Sequence, residues 1–229
     1  METPSNSIQL RVIVFGASGA TGRLIVHELL QEDKILVLAV LRPESRGLEL
    51  QHSRLRVVLG SPEDPRFVEG LVQKGDIVIS ALGQNRKTRN PWSPMRSPIN
   101  LMEVAISNIL NACDKKGASR FLYMSAFGAG SDWLRLPSWM RFFVQISNVR
   151  YAYADHGRAE ALVRKFKTPV TILKPTILVD GQSHTNPKVV TDQPVSSLAR
   201  INRKAIATYL RSLVRGAESA SERVELTGA

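Results

Sequence analysis

Residues 8–22, Ile8-Gln9-Leu10-Arg11-Val12-Ile13-Val14-Phe15-Gly16-Ala17-Ser18-Gly19-Ala20-Thr21-Gly22, decide how the rest of the chain is read. Ile8 to Phe15 is rich in β-branched and apolar side chains and becomes continuously apolar at Val12–Phe15. That pattern suits a central parallel strand covered on both faces. Three glycines at positions 16, 19 and 22 follow at once, and the residues from about Thr21 to Gln31 have helical character. In such a strand–loop–helix unit the first glycine permits the turn and the second allows close backbone approach to a bound group. The third lets the helix pack tightly on the strand. Free N–H groups at the helix start, Ala20 and Thr21 beside Ser18, would attract an anion.

The alternation continues outward. Strands are expected at 35–41, 54–59, 76–81, 121–124 and 170–173, and helices at about 62–72, from Met102 to near Gly117, and over the stretch containing Ala159, Leu162, Val163 and Phe166. Strands and helices alternating at this spacing predict an α/β fold, a Rossmann-type doubly wound, mostly parallel sheet in three α/β/α layers. Residues 1–215 are expected to form a single domain that binds a dinucleotide. A strand is expected near 196–201, a helix over 203–214, and a flexible tail over 216–229.

Bulk properties narrow the function. The chain has 229 residues, 43% of them apolar and 22% charged, in the range of a globular domain with a sizeable core. A net charge of +11 invites a nucleic-acid reading, but the basic residues are dispersed and no nucleic-acid-binding signature accompanies them. The same charge suits a protein holding a polyanionic cofactor. The lone Cys113 lies in an apolar helical pattern and reads as a packed thiol, and the four scattered histidines show no metal-ligand spacing. No signal-like segment or transmembrane-length apolar run is present, so a cytoplasmic protein acting on a small molecule is expected, with its oligomeric state open.

Cofactor choice turns on the end of the second strand. A site for NAD carries a carboxylate there for the ribose 2′-hydroxyl. This chain has Arg42 and Arg46, with Arg23 after the glycine loop and no competing acid counted, so NADP (NADPH) is expected. Ligands in such sheets lie beyond the carboxyl ends of the strands, which puts Ala81-Leu82-Gly83, Ser125 and Lys174-Pro175-Thr176-Ile177 around the reacting end. Ser125 is a candidate hydrogen-bond donor to a substrate carbonyl, or else a strand cap. Asp155 reads as the N-cap of a helix. His156 in that helix's first turn is a candidate proton donor or positioning group, with an idle surface histidine the alternative. The residues that would choose a substrate lie at 84–98, 131–150 and 176–195. Within them, the aromatic stretch Trp133–Val149 reads as a helical lid or a packed element, and a membrane-surface or dimer patch is less favoured because its basic face is thin.

Gly16-Ala17-Ser18-Gly19-Ala20-Thr21-Gly22-Arg23, Leu41-Arg42-Pro43, Ile79-Ser80-Ala81-Leu82-Gly83, Met124-Ser125-Ala126-Phe127-Gly128, Tyr153–Glu160 and Thr171–Pro175 together resemble the atypical short-chain dehydrogenase/reductases. The similarity is strongest to the NmrA-like branch that includes biliverdin reductase B (flavin reductase) and covers about residues 8–215. The resemblance implies NADP in the groove, with Ser125 and His156 matching residues that line the branch's substrate site. One departure stands out. The usual catalytic Tyr-x-x-x-Lys is missing, since Tyr151 is followed four positions on by Asp155 and Tyr153 by Gly157. Two functions therefore stay open: an NADPH-dependent reductase of a small, planar or conjugated molecule, and a non-catalytic NADP-binding regulatory or scaffold protein of the NmrA type.

Overall fold

The computed structural model describes residues 10–45, 47–88, 90–181, 187–189, 199–216 and 223–227. Its centre is β1 (Leu10–Phe15), in parallel register with β2 (Ile35–Leu41) on one side and β4 (Ile77–Ser80) on the other. β3 (Leu55–Leu59), β5 (Arg120–Met124), β6 (Val170–Pro175), β8 (Lys188–Val189) and β10 (Arg223–Thr227) complete an eight-stranded sheet in the order β3-β2-β1-β4-β5-β6-β10-β8. All its pairings are parallel except that of β8, at one edge. A parallel two-stranded sheet of β7 (Ile177–Val179) and β9 (Arg200–Asn202) stands apart.

Helices α1 (Ala20–Leu29) and α6 (Arg203–Val214) cover one face. Val12, Val14, Ile25, Leu29, Ile206 and Leu210 form one core there. Helices α2 (Pro65–Leu71), α3 (Leu101–Lys116) and α5 (Val149–Val163) cover the other, where Ile13, Phe15, Ile106, Ile109, Phe121 and Ala159 form the second. The uninterrupted apolar run of β1 is thus explained: alternate side chains serve the two cores, each fully buried side chain contributing about 2 kcal/mol. The three-layer α/β/α expectation holds. Cys113 is fully buried in the second core, and burial pushes its thiol up to about 12, which leaves it inert.

The strand order reverses between β1 and β4, and at such a switch the loops leaving neighbouring strands part and open a crevice. The limits of α1, α2, α3 and α6 agree with the spacing to within a few residues, and Gly117 ends α3 in the left-handed conformation a glycine favours (φ +74°). Two corrections arise. Within 216–229, expected to be a flexible tail, Arg223–Thr227 is a strand in parallel register with β6, and Val224 and Leu226 enter the first core. The strand expected at 196–201 is observed as β9, Arg200–Asn202; residues 196–198 lie outside the described residues.

Candidate functional site: a dinucleotide cleft and a buried charge cluster

Phe15 ends β1 and Gly16 turns the chain at φ +78°, a conformation that a side chain would strain. A Cβ on Gly16 would stand 2.6 Å from the Ala81 carbonyl oxygen, so the loop lies directly on the end of β4. A Cβ on Gly22 would stand 2.1 Å from the Gly16 oxygen, which is how closely α1 sits on the loop. Gly19, the residue that opens α1, offers no side-chain cap, and the first turn holds no carboxylate. The N–H groups there therefore face the crevice with the helix dipole behind them.

The crevice is a cleft of about 410 Å³. Gly16, Ser18, Gly19, Ala20 and Thr21 line it from the loop, Arg42 from β2, and Ala81, Leu82 and Gly83 from β4. Ser125 and His156 line it from the far side. Among its described lining residues are two arginines and no carboxylate. An uncapped helix start, a loop without side-chain bulk and a wall of one charge sign fit the pyrophosphate and adjoining phosphates of a dinucleotide.

Other candidates are placed elsewhere. Gly22 serves the helix–loop contact. Arg23 turns back, its guanidinium donating to the Ser18 carbonyl at 2.9 Å and to that of Gly47 at 3.4 Å. Pro175, Thr176 and Ile177 line a separate small cavity of about 70 Å³, joined to the cleft through Ala126. Arg46 lies outside the described residues. Arg42 is half exposed and has Glu44 3.6 Å away, an acid the sequence reading did not count. Arg203, absent from the sequence candidates, lines the cleft from the start of α6 and pairs with Asp180 at 2.7 Å.

At the reacting end, the Ser125 N–H donates to the Leu173 carbonyl at 2.8 Å, fixing the serine at the mouth of β5. Its hydroxyl donates to Glu160 Oε1 at 2.5 Å. Glu160 Oε2 accepts from Lys174 Nζ at 2.8 Å, and Lys174 also meets Asp132 Oδ2 at 2.9 Å and the Ala129 carbonyl at 2.8 Å. Arg135 reaches Asp132 at 3.7 Å and is bound to Glu225, which stands opposite Lys174 in the β6–β10 register. Lys174 and Asp132 are almost wholly buried, so the ammonium sits between two carboxylates that compensate it. Burial raises the Glu160 carboxyl above its usual range, against the lowering pull of Lys174. Glu160 and Lys174 also line a second cavity of about 530 Å³, so this carboxyl reaches from Ser125 to another opening.

His156 does not open a helix. It lies within α5, buried, with Nδ1 2.6 Å from the Tyr123 hydroxyl. Burial, with a smaller contribution from Lys174, lowers its pKa to about 4, so the imidazole is neutral near pH 7. Burial also holds the Tyr123 phenol well above its ordinary value. Asp155 is not the cap of α5, whose first residue is Val149. It caps α3 across the domain, accepting from the N–H groups of Met102 at 2.8 Å and Glu103 at 3.1 Å. Gln84 Nε2 reaches the same carboxylate at 2.7 Å and ties down the loop after β4.

No Tyr-x-x-x-Lys pair is assembled. Gly157, four residues after Tyr153, packs on the Gly130 backbone, where a Cβ would stand 3.3 Å from it. Burial raises the Tyr153 phenol. The aromatic stretch forms a 3-10 turn (Gly130–Arg135) and α4 (Ser138–Ile146), which rests on α5 and buries Val144. Its Trp139, Phe142 and Ile146 are exposed, so packing against the domain accounts for only part of it.

Residues 16–216 match a family model described as NAD(P)H-binding. Among curated proteins, none matches the sequence. Solved structures share the fold at low identity. The anaerobillin reductase ChuY from Escherichia coli O157:H7 is similar with a TM-score of 0.71 at 19% identity, over 94% of this chain and 96% of its own. The oxidoreductase ylbE from Lactococcus lactis has a TM-score of 0.76 at 14% identity, over 96% and 91%. A short-chain dehydrogenases/reductase from Veillonella parvula DSM 2008, in complex with NADP, has a TM-score of 0.72 at 16% identity, over 95% and 94%. With its fold, its glycine loop and the greater part of its length accounted for in this way, the chain belongs to the NAD(P)H-binding family.

Proposed function

We propose that the protein is an NADPH-dependent reductase that passes a hydride to a small, planar or conjugated organic acceptor. The observation that carries the reading is that one cleft holds both the uncapped start of α1 and Ser125 with His156. The nicotinamide, when bound, supplies the hydride. The α1 N–H groups and Ser18 hold phosphate, Arg42 and Arg203 favour the more anionic NADPH, and Ala81–Gly83 bound the cleft along β4. Ser125, its hydroxyl held by Glu160 Oε1 at 2.5 Å, orients the acceptor, and water entering the cleft supplies the proton that accompanies the hydride. His156, neutral and held by Tyr123, positions the acceptor.

Calorimetric titration with NADPH and NADH tests the cofactor, and equal or tighter NADH binding removes the NADP preference. NADPH oxidation with a flavin, a quinone and a tetrapyrrole tests the reaction. Ser125→Ala is expected to lower turnover about 100-fold while leaving NADPH affinity unchanged. Asp155 and Gly157, standing where a catalytic lysine would follow Tyr151 and Tyr153, favour a second reading, a non-catalytic NADP-binding regulator. NADPH binding with no turnover on any of the three acceptor classes supports that reading over the first.

A further inference from the structure

All three tryptophans of the chain, Trp92, Trp133 and Trp139, fall in the loop after β4 or in the 130–146 segment. Trp92 is 54% exposed, Trp139 55% and Phe142 62%, and Leu134, Ile146 and Ile99 are exposed as well. Trp139, Phe142, Phe143 and Ile146 recur at helical spacing along one face of α4. Trp92 joins that face by an edge-on contact with Phe143, 5.7 Å between ring centroids. Asn148 pins the loop there through the Trp92 and Ser93 carbonyls at 2.9 and 3.1 Å. Two stretches far apart in sequence thus form one apolar surface.

The charge around that surface is of one sign. Residues 84–102 and 133–154 contain no aspartate or glutamate, while Arg86, Lys87, Arg96, Arg141 and Arg150 stand among their described residues. Lys87, Arg96 and Arg150 are exposed, and Arg141 is half exposed beside Phe142. Isolated surface apolar residues need no explanation, but a contiguous aromatic face with a cationic surround marks a contact surface. A second copy of the chain is a poor occupant, because a self-complementary contact would set these cations against their own copies, and the two segments supply no carboxylate to answer them. Tryptophan and phenylalanine flanked by guanidinium and ammonium groups match instead the boundary between acyl chains and anionic headgroups.

The geometry points to α4 and the loop 84–98 as a docking surface for an anionic lipid bilayer, on which the protein lies peripherally. Among the described residues no helix is long and apolar enough to cross a membrane, so the contact is interfacial. The α4 side chain Met140 also lines the small cavity that shares Ala126 with the dinucleotide cleft. Docking therefore brings the bilayer close to the reacting end.

The test uses the full chain with phosphatidylcholine vesicles, with and without about 30% phosphatidylglycerol. At low ionic strength the protein is expected to co-sediment with the anionic vesicles and its tryptophan emission to move to the blue. Binding to the neutral vesicles should be at least about tenfold weaker, and added salt should release the protein. The double variant Trp139→Ser/Phe142→Ser, altered only at exposed positions, should lose at least about tenfold in partitioning with its circular dichroism unchanged. Three results would overturn the assignment. In the first, wild-type protein stays in solution at low salt; in the second, the variant binds vesicles as tightly as wild type. The third is a dimer in analytical ultracentrifugation that the same two substitutions dissolve, which would give the face to a second copy.

Discussion

The glycine loop and the Ser125–Glu160–Lys174 cluster lie at the same edge of one sheet but are built from different materials. The loop works through backbone: N–H groups, a left-handed turn at Gly16 and contacts too close for any side chain. The cluster works through side chains from β5, α5, β6 and the 3-10 turn, and has almost no exposed surface. The first is a local device of seven consecutive residues. The second exists only once the whole sheet has been assembled.

Substitutions should separate the two. Lys174→Met is expected to have the largest effect, roughly 3–5 kcal/mol in urea unfolding, because Asp132 and Glu160 lose a buried counter-charge. A loss below about 1 kcal/mol would mean that the cluster is not energetically closed. Gly22→Ala should cost roughly 3 kcal/mol, because its methyl would strike the Gly16 carbonyl. It should also weaken NADPH binding by at least tenfold, an effect Lys174→Met should lack at temperatures where that variant stays folded.

The pH dependence of stability sharpens the contrast. The folded pKa of His156, about 4, lies below its ordinary 6.5, so the unfolded chain binds a proton there that the native state refuses. Stability from this group is fully present above pH 6.5 and is lost as pH falls toward 4, by about 2 kcal/mol between pH 6.5 and 5. Glu160, with its pKa raised, contributes with the opposite sign, its carboxyl favouring the folded state as it gains a proton. The measurement is therefore the difference between wild type and His156→Gln over pH 4–7, in which the variant should show the shallower acid loss. The smallest effect, about 1 kcal/mol, is expected for Asp155→Asn, whose one amide oxygen can still accept from Met102 and Gln84 but which gives up the acceptor for Glu103 and the charge at a helix start. Thermal melts of this pair would check it.

Legibility from the sequence follows the same division. β1, β2, β4 and β5 were readable because strands covered on both faces leave continuous apolar runs, and Gly16, Gly19 and Gly22 because their role is local. Ser125 was readable because its strand ends one residue before it. Lys174 was legible at the end of its strand and Glu160 within the Tyr153–Glu160 motif, but their pairing carried no local signal until the fold sets them 2.8 Å apart. Asp155 looked like the cap of its own helix, yet the helix start it caps is that of Met102 and Glu103, about fifty positions away in the chain. Arg203 reads as the first turn of a helix, and only the packing of α6 beside the cleft gives it a second meaning. β10 was missed because its five residues hold two apolar side chains amid a polar stretch, too few to show a period.

That last strand has a consequence for how the molecule comes into being. β10 supplies Glu225 opposite Lys174 and covers the outer edge of β6, yet it is synthesised about fifty residues after that strand. Until then β6 offers an open row of backbone donors and acceptors, and Arg135 waits for its carboxylate. For that interval the nascent chain has a formed glycine loop and an exposed sheet edge together, the period in its life when it is most open to pairing with a neighbour.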